Sequence, residues 1–187
     1  MKTILCLPLL LLFLATAELS AQSPLITKDG TTTFFSHSPI EDIEAINEKT
    51  TAAINFATGD VVVKMLIKHF TFENALMQEH FNENYMESEK FPAAIFKGKL
   101  ESEKPVDITQ DGEYPVTIVG ELTIRGIAKP LTTEAVITVA GEELTASTKF
   151  IAKPADFDIK IPSVVVKNIA EEIEVTTALA FPIASNK

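Results

Sequence analysis

The chain has 187 residues with a single cysteine, and its 26 acidic side chains outnumber 16 basic ones for a formal net charge of −10. Arg125 is the sole arginine, so no basic stripe exists to neutralise phosphates, which argues against nucleic acid or an anionic lipid surface as partner. Cys6 falls in the extreme N-terminal segment, so the rest of the chain has no thiol for a disulfide, a thiolate metal site or thiol catalysis and must be stabilised by its own core.

That N-terminal segment has Lys2, an apolar run from Ile4 to Ala17, and small residues ending at Ala21. It has the form of a secretory signal peptide, cut between Ala21 and Gln22, with Ala17 the nearest alternative. The run is shorter than the roughly 18 apolar residues a membrane span requires. Residues 22–187 then suffice for one domain, periplasmic or secreted and without a stable membrane anchor.

After Ala21 the dominant period is two, with turn residues bounding short β-branched runs, the pattern of antiparallel strands. About eight strands and one helix are expected. The first runs are Thr31 to Ser36, Ile43 to Asn47 and Ala52 to Phe56. A hairpin at Gly59-Asp60 leads into a long strand from Val61 to Phe70. In it Val61, Val63, Met65 and Ile67 share one face and Lys64 and Lys68 the other, so one face is dry.

From Glu73 to Ser88 the period changes: Leu76, Met77, His80, Phe81, Asn84 and Tyr85 recur at helical spacing, which predicts one amphipathic helix inserted between strands. Glu73 complements the dipole of its first turn, and Pro92 restrains the residue before it from helical geometry. Strands follow over Ala94 to Glu101, Tyr114 to Arg125, Leu131 to Val139, Leu144 to Phe150 and Ile173 to Phe181. Turns fall at Gly112, Gly126, Gly141 and Lys153-Pro154. The fold class is therefore all-β with one inserted helix.

The run Leu76-Met77-Gln78-Glu79-His80-Phe81-Asn82-Glu83-Asn84-Tyr85, continuing through Phe91-Pro92 to Gly98, resembles the YceI-like family of exported proteins. A second segment, Val119 to Pro130, and a late stretch, Phe150 to Ile161, resemble the same family in the same order. The resemblance implies an eight-stranded antiparallel lipocalin-like β-barrel with a helix near its mouth. It also implies a periplasmic location and an apolar interior that in some relatives holds a long isoprenoid chain. Many relatives carry an Arg-Asp pair ahead of the helix's aromatic residue, where this chain has Ala75-Leu76-Met77-Gln78-Glu79. Head-group contacts made by that pair therefore do not carry over.

Eight strands sit at the size where side chains either fill a barrel or leave room for one small ligand. The inward faces alternate small residues, Ala94, Gly98, Gly120, Ala135 and Ala146, with large ones. The expected cavity lining is Phe56, Met65, Ile67, His80, Phe81, Phe96, Ile118, Leu122, Phe150 and Leu179. Tapering cores use the same alternation without any ligand, so a filled structural or interaction barrel is the alternative.

Catalytic chemistry is thinly represented. His80 shares a helix face with Glu83 and Asn84, His69 and His37 stand alone in sequence, and Asp156 and Asp158 merely share one face of an expected strand. Arg125 is read as pairing with an acidic side chain before a ligand head. Glu171, Glu172 and Glu174 are read as a charged edge that repels neighbouring barrels. No catalytic residue, metal ligand or cofactor is expected, apart from a bound isoprenoid or quinone-like lipid. The expected partner is an apolar small molecule, with a homodimer left open.

Overall fold

A computed structural model describes residues 23–162 and 168–183; the expected signal segment, 1–21, lies outside them. Nine strands form: β1 (Leu25–His37), β2 (Asp42–Asn55), β3 (Asp60–Leu66), β4 (Thr71–Phe72), β5 (Ala93–Glu101), β6 (Gly112–Ile124), β7 (Ile127–Ala140), β8 (Glu143–Ala152) and β9 (Ile173–Pro182). Eight of them pair antiparallel around a closed barrel, in the order β1, β2, β3, β5, β6, β7, β8, β9 and back to β1. The two-residue β4 adds to β2 through Ala45↔Phe72 and Ile46↔Thr71. Closure leaves no long edge exposed. Among the described residues no helix is long and apolar enough to cross a membrane.

Gly112, expected in a turn, instead begins β6, whereas three other expected turns carry the backbone that tight connections demand. Gly59, Gly126 and Gly141 all have positive φ. The β6–β7 connection places Arg125 at φ 49° and Gly126 at φ 75° between the paired Ile124 and Ile127, the geometry of a two-residue hairpin with both central residues left-handed. One end of the barrel carries this turn, the β1–β2 loop and the helical segment. The other carries the β2–β3, β5–β6 and β7–β8 connections.

At that second end the alternating faces converge into a packed core. Val116, Ile137, Val139, Leu144 and Phe181 are each no more than 2% exposed. Gly98 and Gly120 face each other across β5 and β6, and the Phe96 ring lies on the pair, its Cζ only 2.6 Å from where a Gly98 Cβ would stand. The space those two glycines leave is filled by Phe96 from the neighbouring inward position.

Five further features differ from the sequence expectation. The runs 43–47 and 52–56 are one strand, β2, because Asn47 bridges the polar interval: its Nδ2 donates to the Leu66 carbonyl at 3.0 Å and its Oδ1 accepts from Lys49 N–H at 2.9 Å. The long strand 61–70 stops at Leu66. The Ile67 N–H donates to the Pro92 carbonyl at 2.9 Å, and a 3₁₀ turn over Ile67–His69 closes with the Phe70 N–H on the Ile67 carbonyl at 3.2 Å. That turn resets the side-chain phase, so Ile67 and Phe70, an odd and an even position, are both buried.

The helix is shorter than expected. α1 covers Ala75–His80, capped by Asn74, whose side chain accepts from the Leu76 and Met77 N–H groups. Phe81–Tyr85 then form a wider π turn, closed by the Met86 N–H on the Phe81 carbonyl at 2.9 Å. Asp156 and Asp158 are not on a strand. Asp156 is in a 3₁₀ turn, Pro154–Phe157, which Asp158 ends at φ 54°. The acidic positions 172 and 174 do not guard an edge, since β9 is paired on both sides. Glu172 pairs with Lys153 at 2.8 Å and Glu174 with Lys149 at 2.7 Å.

Candidate functional site

Above the packed core, the upper half of the barrel holds a half-open cavity of about 380 Å³. Its size falls within the roughly 300–1,000 Å³ of ordinary small-molecule pockets. A smaller void of about 70 Å³ lies deeper, between it and the core.

One wall of the cavity is aromatic. Phe34 from β1, Phe70 and Phe72 from around β4, and Phe81 from the π turn contact one another at centroid separations of 5.0 to 5.8 Å. The floor is formed by Met65, Leu122 and Phe150, which border both the cavity and the small void. Val175 stands beside Phe34 across the β1–β9 pairing, Ile124, Phe157 and Ile159 also line the cavity, and Met77, His80, Tyr85 and Met86 bring the helical segment over the top. Burial raises the Tyr85 phenol above its ordinary pKa.

Polar groups at the cavity are few and mostly engaged with the protein. Asn168 Nδ2 donates to Glu41 Oε2 at 3.3 Å, and Ser36 Oγ accepts from the Ala170 N–H at 2.9 Å. Thr32 Oγ1 lies 2.9 Å from Thr50 Oγ1 and 3.2 Å from Thr177 Oγ1. The cavity can therefore retain an apolar body by burial, with orientation left to a few groups near the rim. Among the described residues no three His, Cys, Asp or Glu side chains are grouped to hold a metal ion.

Of the residues expected in the lining, Met65, Ile67, His80, Phe81, Leu122 and Phe150 border the main cavity. Phe96, Ile118 and Leu179 instead surround the small void beneath it. Phe56 sits at the far end, in the β2–β3 connection, packed on the filled core. His69 lies in the 3₁₀ turn with its Nδ1 buried and without a partner, and His37 is at the surface with Nδ1 2.6 Å from Asp42.

Sequence reasoning missed Phe34, Phe70 and Phe72. Phe70 and Phe72 were hidden because the alternation running through Met65 and Ile67 places even positions outside, and only the turn at Ile67–His69 reverses that. The Phe34-Phe35 pair offered a signal without a phase to say which ring points inward.

Arg125 does not border the cavity but braces its rim. Its Nη2 pairs with Glu87, its Nη1 donates to the Asp158 carbonyl at 2.5 Å, and its guanidinium lies 5.9 Å from the centre of the Phe91 ring. Glu87, Arg125 and Asp158 are the three non-glycine residues with positive φ among those described. Such backbone costs about 1–2 kcal/mol per residue, so one side chain ties three strained turns together. It thereby fixes Met86 and Phe157, neighbours of those turns, against the cavity.

The YceI-like domain matches residues 26–181 of the chain. A polyisoprenoid binding domain from Saccharophagus degradans, implicated in plant cell wall breakdown, has a similar structure. The TM-score is 0.70 at 12% identity, covering 86% of this chain and 98% of that one. BcnA of Burkholderia cenocepacia is similar at TM-score 0.68 and 14% identity, over 81% and 95% of the two chains. A YceI protein of Campylobacter jejuni follows at TM-score 0.57 and 16% identity, over 73% and 81%. At these identities the likeness is one of fold. No curated protein matches the chain significantly.

Proposed function

The chain belongs to the YceI-like family, and from that premise we propose that it is an exported protein that holds a long apolar ligand, an isoprenoid or quinone-like lipid, inside its barrel as a carrier or sequestering protein. The observation that carries this reading is the apolar cavity of about 380 Å³ in the upper half of the barrel, in a molecule whose lower half is packed shut. Each buried methylene gains about 0.8 kcal/mol, so such a site needs no charged partner to hold its ligand. The same chemistry is named for the Saccharophagus degradans domain of similar fold.

Export to the periplasm or beyond is supported by the residue pattern from Met1 to Ala21, which has the form of a secretory signal peptide. Catalysis is not part of the proposal. Mass spectrometry of an organic extract of protein purified from its native compartment tests the reading. A stoichiometric apolar lipid is the expected result. A barrel that is consistently empty and takes up no apolar probe would favour the ligand-free interaction barrel instead.

A further inference from the structure

We propose that the ligand is a single apolar chain of about 15 carbon atoms, three isoprene units or an acyl chain of equal length, and that Met65, Leu122 and Phe150 form the floor that measures it. The inference rests on the barrel's reading as a lipid-binding protein and adds the size of the ligand and the residues that set it.

The volume supplies the length. An apolar cavity of about 150 Å³ accepts the six carbons of one benzene ring. A cavity of about 380 Å³ is some two and a half times larger, and on that scale it takes about 15 carbons. The deeper void of about 70 Å³ adds about three carbons, less than one isoprene unit. A chain of eight isoprene units, about 40 carbons, would need on the order of 1,000 Å³ by the same scale, and most of it would remain in water.

The floor is firm because of what lies under it. Met65 and Leu122 are 6% and 4% exposed, and with Phe150 they separate the cavity from the void. Beneath, the Phe96 ring rests on the Gly98–Gly120 pair with no space for further movement toward the wall. Below that, Leu144 and Phe181 are fully buried. A chain tip that passed the floor would have to displace this close-packed core, at a cost that rises with every atom inserted. Phe150 is the informative residue: Met65 adapts its shape readily, whereas removing the Phe150 ring frees six carbons' worth of space and joins the void to the cavity. Together these lengthen the accommodated chain by about nine carbons, between one and two isoprene units.

The test is a titration of delipidated full-length mature protein with straight-chain fatty alcohols from about 10 to about 24 carbons and with prenyl alcohols of two, three, four and eight units, read by displacement of an environment-sensitive dye. Affinity rises by about fourfold per added methylene while the chain is still being buried, then levels off near 15 carbons. Phe150→Ala moves that break to longer chains by one to two isoprene units, while Phe150→Leu, which keeps the floor, leaves it within two carbons of the wild type. Affinity that climbs without a break through the longest alcohols, or a break that does not move in a folded Phe150→Ala protein, overturns the ruler while leaving lipid binding intact. Failure of every chain to bind overturns the underlying reading and the ruler with it. The position of the break in the unmodified protein decides the ligand's size whether or not the variant folds.

Discussion

The two halves of the barrel are walled by the same eight strands, yet one is packed and the other hollow. In the lower half Val116, Ile137, Leu144 and Phe181 interdigitate, and even the glycine pair at 98 and 120 is covered by Phe96. In the upper half the same strands present Phe34, Leu122, Phe150 and Val175 to open volume. The difference lies in how the ends are finished. Below, inward side chains meet one another across the barrel, whereas above, the chain between β4 and β5 passes over the end. That segment, together with β4 and the turn before it, roofs the space and lends Phe70, Phe72 and Phe81 to its lining, held to the barrel by the β4–β2 pairing, the Thr71 hydroxyl on the Ile46 carbonyl and the Arg125–Glu87 pair.

The contrast breaks most readily under truncation of the largest side chains. Phe181→Ala is expected to cost about 3–5 kcal/mol in urea unfolding, since a fully buried ring leaves a cavity that packed neighbours cannot refill. Phe81→Ala, beside existing empty volume and partly exposed, is expected to cost less than half as much. Equal losses would mean that the halves do not differ in packing.

Gly98→Ala sharpens the same distinction. Its new Cβ would stand 2.3 Å from the Val119 carbonyl oxygen and 2.6 Å from the Phe96 ring. Overpacking of this kind costs about 1–3 kcal/mol, and a calorimetric melting temperature unchanged from the wild type would show that the ring yields freely into the small void. Next comes the brace on the hollow half. Arg125→Ala removes hydrogen bonds to a carboxylate and a carbonyl, worth about 2 kcal/mol together. Arg125→Gly, which relieves the left-handed backbone, is expected to melt measurably higher than Arg125→Ala.

The smallest effect is on Tyr85. Burial favours its neutral phenol and raises its pKa, so the unfolded chain, with an ordinary value of about 10, loses that proton first. This contribution to stability is intact below pH 10 and declines as pH rises above it. Filling the cavity buries the phenol further. Ultraviolet titration, with Tyr85→Phe identifying the signal against Tyr114, is expected to show an upward shift on loading; an unchanged titration would place Tyr85 outside the bound ligand's reach.

Much of the architecture could be read before any coordinates. Val116, Ile118 and Leu122 against Thr117, Glu121 and Thr123 showed a strand with one dry face, and Gly59, Gly126 and Gly141 marked the turns that the structure contains. The candidate site was legible only in part. Met65, Ile67, His80, Phe81, Leu122 and Phe150 border the cavity, but nothing along the chain distinguished them from Phe96, Ile118 and Leu179, which have the same inward phase and lie below the floor. Depth along a barrel depends on strand stagger, which adds across neighbours and has no local signature.

What the sequence alone determined is therefore what short-range sterics and burial can write: strand faces, most turn positions, a helical insertion and the motifs that resemble one family. Only the tertiary structure decided where those elements leave room. The Ile67–His69 turn turned Phe70 and Phe72 inward, the π turn carried Phe81 to meet them, and Phe96 consumed the space that two glycines had opened. A cavity is the difference between the volume a closed wall encloses and the volume its inward side chains occupy. Both quantities are sums over the whole barrel, and no stretch of neighbouring residues contains either one.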